Sequence, residues 1–146
     1  MKSVSTDKSP AAAGPYSQAI VCGNLVYVSG QIAADPETGI VSGDISEQAR
    51  RALENLRNII EESGSSMKKV LKVTVYLSSI SDFPAVNKVY AEFFSEPYPA
   101  RSCVAVSGIP KGSCLEIDAV AYLRRYCITD LVSISFPTTA SLTKRL

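Results

Sequence analysis

A chain of 146 residues, 46% hydrophobic and 20% charged, has the size and composition of one globular domain with a buried core. Its 15 Lys and Arg against 14 Asp and Glu leave a formal charge of +1, which argues against an electrostatic nucleic-acid binder; the basic pairs Lys68-Lys69 and Arg124-Arg125 are too short to form a patch. Histidine is absent, which excludes Ser-His-Asp and Cys-His catalysis and imidazole-dependent zinc sites.

The opening MKSVSTDKSP has neither the apolar run of a secretory signal nor the arginine-rich pattern of a transit peptide. Residues 10–16, PAAAGPY, read as a loop, because two prolines and a glycine interrupt regular structure. AIVCGNLVYVSGQI reads as a hairpin turning at Gly23-Asn24. Strict alternation in its second strand puts Val26, Val28, Gly30 and Ile32 on one face and Leu25, Tyr27, Ser29 and Gln31 on the other. After the loop ADPETGIVSGD, Asp44 and Glu47 have the spacing of a capping box. Ile45, Ala49, Leu53, Leu56 and Ile60 then recur at helical spacing until Gly64 ends the helix.

VLKVTVYL, residues 70–77, alternates as a strand, with Leu71, Val73, Val75 and Leu77 on the core face. A second helix is predicted from Asp82, with Pro84 in its first turn, a stripe of Val86, Val89, Tyr90 and Phe93, and a stop at Pro97 and Pro99. Residues 101–107 and 115–123 supply two more strands. The predicted order is β-β-α-β-α-β-β, an α+β domain over residues 1–125. Two helices can cover one face of such a sheet. The other face, with Val70, Thr74, Tyr76, Val120 and Tyr122, is too apolar to leave wet, so it is expected to pack against further copies of the chain. Residues 126–146 carry no helical stripe and form an atypical C-terminal extension, either an added edge strand or an appendage. Cys22, Cys103, Cys114 and Cys127 make no C-x-x-C pair, and no stretch approaches a membrane span; a cytoplasmic protein without a metal site is the expectation.

Three features could carry chemistry. Arg101 opens a strand after a proline-bounded turn, Glu116 and Asp118 share one face of the last strand, and Tyr16 sits in a Gly-Pro loop shortly before Ser29. Taken singly, each also fits an ordinary role, as surface arginine, solvated acids and packed loop aromatic.

In order and spacing, GPYSQAI (residues 14–20), NLVYVSGQI (24–32) followed by DPETG, EQARRALENL (47–56), KVTVYL (72–77), DFPAVNKVYAEFF (82–94), PARSCVAV (99–106) and EIDAVA (116–121) resemble the Rid/YjgF family of reactive intermediate deaminases. The resemblance covers roughly residues 3–123 and stops before the extension, which the family does not share. It implies a chorismate-mutase-like mixed sheet with two helices on one face. It also implies a homotrimeric barrel with active sites between subunits. The implied activity is hydrolysis of 2-imino acids and their enamine tautomers, such as 2-aminoacrylate and 2-iminobutanoate, to 2-keto acids and ammonia. The resemblance implies that no cofactor is needed and that the reaction removes intermediates that damage pyridoxal-phosphate enzymes. By the resemblance, Arg101 grips the substrate carboxylate and Glu116 holds and deprotonates water. The resemblance also implies that the Cys103 backbone carbonyl accepts a hydrogen bond and that Tyr16, Ser29, Gly30 and Asn87 line the pocket. Relatives described as chaperone-like binding trimers or as translation-inhibiting endoribonucleases supply the alternative readings.

Overall fold

The computed structural model describes residues 1–123; the extension over 126–146 lies outside the described residues. Six strands and two helices follow the order β1 (Lys2–Val4), β2 (Ala19–Cys22), β3 (Leu25–Ile32), α1 (Ile45–Glu62), β4 (Val70–Leu77), α2 (Phe83–Phe93), β5 (Ala100–Ala105) and β6 (Leu115–Tyr122). The strands form one mixed sheet in the order β1-β2-β3-β6-β4-β5. β4 and β5 run parallel, joined across α2, and the remaining pairs are antiparallel. The α+β class and the predicted elements are present, with β1 added ahead of them. KSV is too short to show an alternation, and it pairs with β2 through Lys2–Val21 and Val4–Ala19.

Local chemistry accounts for the helix ends. The Asp44 carboxylate accepts from the backbone N–H groups of Ser46 and Glu47, and the Glu47 carboxylate accepts from the Asp44 N–H at 2.8 Å. This reciprocal cap fixes the start of α1. Beyond its end, Gly64 takes φ +87°, which a side chain would resist. Pro84 sits in the first turn of α2, where its missing N–H costs nothing. Arg50 of α1 pairs with Glu92 of α2 through two contacts, and Arg57 lies 5.5 Å from the centre of the Phe93 ring.

The core lies between the helices and one sheet face. Leu53, Leu56, Ile59 and Ile60 from α1, Val86, Val89 and Tyr90 from α2, and Val73, Val75, Leu77, Leu115 and Ile117 from the sheet form one buried cluster. Each such aliphatic side chain contributes about 1.5–3 kcal/mol by leaving water. Phe93 is only half-buried, and Phe94 takes its predicted place in the core.

Two β-bulges alter the predicted faces. Val28 pairs with Ala119 and Gln31 with Ile117, so β3 holds one residue more than β6 between these rungs. Gln31 is consequently buried, whereas Ile32 joins Glu116 on the open face. In β4, Val70 pairs with Ala121 and Lys72 with Val120. The extra residue is Leu71, which is 47% exposed, and Val70 enters the core instead of the open face. That open face is therefore composed of Tyr27, Ile32, Lys72, Thr74, Tyr76, Glu116, Asp118, Val120 and Tyr122 across three central strands.

Candidate active site

Arg101 begins at the sheet edge. It stands opposite Val73 on β5, so its side chain leaves on the helix side. The guanidinium carbon sits 4.5 Å from the centre of the Tyr90 ring and 5.5 Å from that of Phe83. Phe83, Asn87 and Tyr90 fall at i, i+4 and i+7 on α2, which places half-buried Asn87 on the stripe that supports the arginine. Among the described residues, Arg101 forms no ion pair with an acid. The aromatic shelf fixes the cation without consuming its five N–H donors. Burial pushes the Tyr90 hydroxyl up to about 12, against the opposing charge of Arg101, so it stays protonated.

Cys103 follows two residues along the same strand and packs against the core. Burial raises its thiol above the ordinary value, with Arg101 acting in the opposite direction. A thiol in that state is a poor nucleophile. Its backbone is better placed: Val106 N–H donates to Leu77 O at 2.9 Å, and by alternation the C=O of Cys103 turns away from β4 to the sheet's open edge.

A second group gathers at the bulge in β3. Ser29 Oγ donates to Ser17 O at 2.6 Å, and Ser29 N–H donates to Gln18 O at 3.0 Å. These bonds tie the Tyr16 loop to the strand. With its proton engaged, the Ser29 hydroxyl can offer a ligand only an acceptor. Tyr16 is 52% exposed; its hydroxyl accepts from Ala13 N–H at 3.2 Å and keeps its own O–H free to donate. Glu116 lies across Gly30: a Cβ added there would stand 2.7 Å from the Glu116 carboxyl carbon. Only glycine admits the acid at this position. Burial, and after it the Asp118 charge, raises the Glu116 carboxyl above its usual value.

The two groups do not meet within one chain. Arg101 is level with Val73 and Ala119, whereas Glu116 is level with Tyr76 and Val104. They are therefore three residues and two strands apart, about 10 Å along the strands and about 10 Å across them, on opposite faces of the sheet. Tyr16, Ser29, Gly30 and Glu116 make one group, and Arg101, Cys103 and Asn87 the other.

Supporting residues went unassigned in the sequence. Tyr90 read only as helix packing and Phe83 was given no role, yet both carry Arg101. Gln18 is 3% exposed in a segment without periodicity. Its side chain accepts from Thr6 N–H at 2.7 Å and donates to Thr6 O, Ser9 O and Pro10 O, pinning the chain that leads to Tyr16. Among the described residues, no cluster of His, Cys, Asp and Glu has the makings of a metal site, and no helix is long and apolar enough to cross a membrane.

Fold and geometry together define a small α+β protein with an arginine that makes no ion pair among the described residues and a separate pair of acids, Glu116 and Asp118. The chain belongs to the Rid/YjgF family: residues 6–123 match the family described as endoribonuclease L-PSP. A RutC family protein of Pyrococcus abyssi is 53% identical over 118 residues, which is 80% of this chain and 93% of the relative. The human 2-iminobutanoate/2-iminopropanoate deaminase is 45% identical over 119 residues, 81% of this chain and 87% of the relative. A Thermotoga maritima crystal structure carrying an endoribonuclease label superposes with a TM-score of 0.83 at 49% identity, covering 86% of this chain and 99% of that one.

Proposed function

We propose that this chain is a cofactor-independent deaminase that hydrolyses 2-imino acids and their enamine tautomers to 2-keto acids and ammonia. In this reading each site forms between neighbouring copies in a homotrimer, with Arg101 from one subunit and Glu116 from the next. The observation that carries it is the Arg101 guanidinium, held on an aromatic shelf with no acid partner among the described residues. Such an arginine accepts a carboxylate through two parallel N–H donations. The human relative, a 2-iminobutanoate/2-iminopropanoate deaminase, supports the same reading.

The reaction asks little more of the protein. A protonated imine carbon is electrophilic. Glu116 takes a proton from water as the oxygen bonds to that carbon, and the C=N electron pair moves to nitrogen. The carboxyl then returns its proton to the nitrogen of the tetrahedral adduct. The C–N bond breaks, ammonia leaves, and loss of the hydroxyl proton yields the keto acid. A carboxyl with a raised proton affinity suits both transfers. Orienting the two reactants contributes several kcal/mol, and general-base assistance about 10²–10⁴-fold.

The test is imine lifetime. An amino-acid oxidase or threonine dehydratase generates the imine, and semicarbazide traps what survives. Added protein is expected to cut the trapped fraction, and Arg101→Ala to restore it while the oligomer persists. Unchanged imine decay in the presence of native protein overturns the reading. An RNase activity that persists unchanged in Arg101→Ala and Glu116→Gln preparations belongs to a contaminant.

A further inference from the structure

The acid at position 116 has a companion whose role the deaminase reading leaves open. Asp118 follows two residues later on β6, so both carboxylates project from the open sheet face. Tyr76 stands directly opposite Glu116 on β4, but its hydroxyl reaches diagonally and donates to Asp118 Oδ2 at 3.1 Å. Diagonal cross-strand pairs are within reach of an aromatic side chain. The tyrosine thus binds one acid and leaves its direct neighbour free.

We propose that Tyr76 and Asp118 form a positioning pair for Glu116, in which the hydroxyl anchors the Asp118 carboxylate so that its fixed negative charge sets when Glu116 takes up and releases a proton. The pair rests on the assignment of Glu116 as the base. It goes further by naming what tunes that base. Two acids on adjacent same-face positions repel when both are ionised. The Tyr76 O–H donor holds the Asp118 side chain in place. Among the described residues Glu116 has no such donor; it lies across Gly30 with Ile32 opposite. Burial first, then the Asp118 charge, raises the Glu116 carboxyl, in agreement with the geometry. Tyr76 is itself raised, by burial and then by Asp118, so it remains a donor across the working range.

Within one chain the other titratable groups around this region leave the pair intact; in the proposed assembly the cation facing Glu116 is Arg101 of the neighbouring copy, which is present in native and Asp118 variants alike. β3 presents Tyr27, β6 presents Tyr122, and the loop tied to Ser29 carries Tyr16. The cation of β4, Lys72, donates to Ser102 Oγ at 2.8 Å and to Val73 O at 3.1 Å, on the side away from β6. It forms no ion pair with Asp118 among the described residues. β5 contributes Ser102 and Val104 at the levels of Asp118 and Glu116, neither of which titrates. The Asp118 charge is therefore not cancelled by a neighbour on its own sheet.

The experiment reads Glu116 directly. Carboxyl carbon-13 spectra of glutamate-labelled full-length protein are recorded against pH, with the Glu116 signal assigned by its absence in Glu116→Gln. Asp118→Asn is expected to move the Glu116 midpoint to lower pH, and Asp118→Glu to keep it near the native position. The acid limb of kcat/KM for imine decay should move with it, while the alkaline plateau falls a few-fold as the base weakens. Tyr76→Phe, which keeps the ring, should shift both readouts the same way by less, and it carries the test if Asp118→Asn does not fold. An identical Glu116 midpoint in native and Asp118→Asn protein overturns the pair. A midpoint that moves under an unmoved rate profile upholds the pair and removes Glu116 from the chemistry, which is a failure of the deaminase reading instead.

Discussion

At the scale of single residues, the arginine and the glycine make separable demands. Arg101 needs both its fork of donors and its flat face, because it rests on Tyr90 at 4.5 Å while keeping its N–H groups for a ligand. Lysine retains the charge but loses the paired hydrogen bonds and much of the stacking. Arg101→Lys should therefore lower kcat/KM for imine decay by about 100-fold, corresponding to roughly 2.7 kcal/mol of lost transition-state binding. A change below about threefold would mean that charge alone suffices. Gly30 acts by omission. A methyl group there collides with the end of the Glu116 side chain, a flexible group that can swing aside. Gly30→Ala should leave the melting temperature within a few degrees of native and lower kcat sharply, since the acid is displaced from its place. Loss of fold instead of rate would assign Gly30 to structure.

At the scale of elements, the loop before β2 is held by buried amide chemistry that periodicity cannot reveal. Gln18 makes four hydrogen bonds to the backbone of residues 6–10, in a stretch where proline and glycine leave no ladder to do so. Gln18→Leu keeps the bulk and strands those backbone groups, so it should cost about 1–3 kcal/mol by chemical denaturation. It should also weaken substrate binding through the displaced Tyr16. A variant of native stability would show that water replaces the amide without penalty. The sequence made most elements legible because their signals are local: the Asp44-Glu47 cap, the α1 stripe, the Gly23-Asn24 turn and the β4 alternation from Val73 onward all recur in the structure. The errors share one cause. Alternation read from sequence assumes one residue per rung, and the bulges at Ser29-Gly30 and Leu71 each insert an extra one against β6. The first of these turned Gln31 inward and brought Gly30 beside Glu116, so the defect in the pattern is also what sets the acid against the glycine.

At the scale of the whole molecule, the separation of Arg101 from Glu116 decides what a single copy can do under the proposed chemistry. The motif residues were legible in the sequence, because PARS and EIDAVA each announce their residue types. Their mutual placement was not, because it depends on strand order: β6 inserts between β3 and β4, and β5 lies outside β4. That order puts Arg101 on the helix side of an edge strand and Glu116 on the open face of an inner one. A site that uses both must draw them from two chains. The consequence can be tested without a structure of the assembly. Arg101→Ala and Glu116→Gln homo-oligomers should each be inactive. Mixed at equal amounts, unfolded and refolded together, they exchange chains. A site with its arginine from a Glu116→Gln chain and its acid from an Arg101→Ala chain is intact, so about a quarter of native activity should return on random mixing in a cyclic assembly. If both residues served from the same chain, no mixture of these two variants could assemble an intact site, and activity would stay at zero. Recovery in the refolded mixture, with none on simple mixing of the pre-formed oligomers at short times, would locate the chemistry in the cleft between subunits.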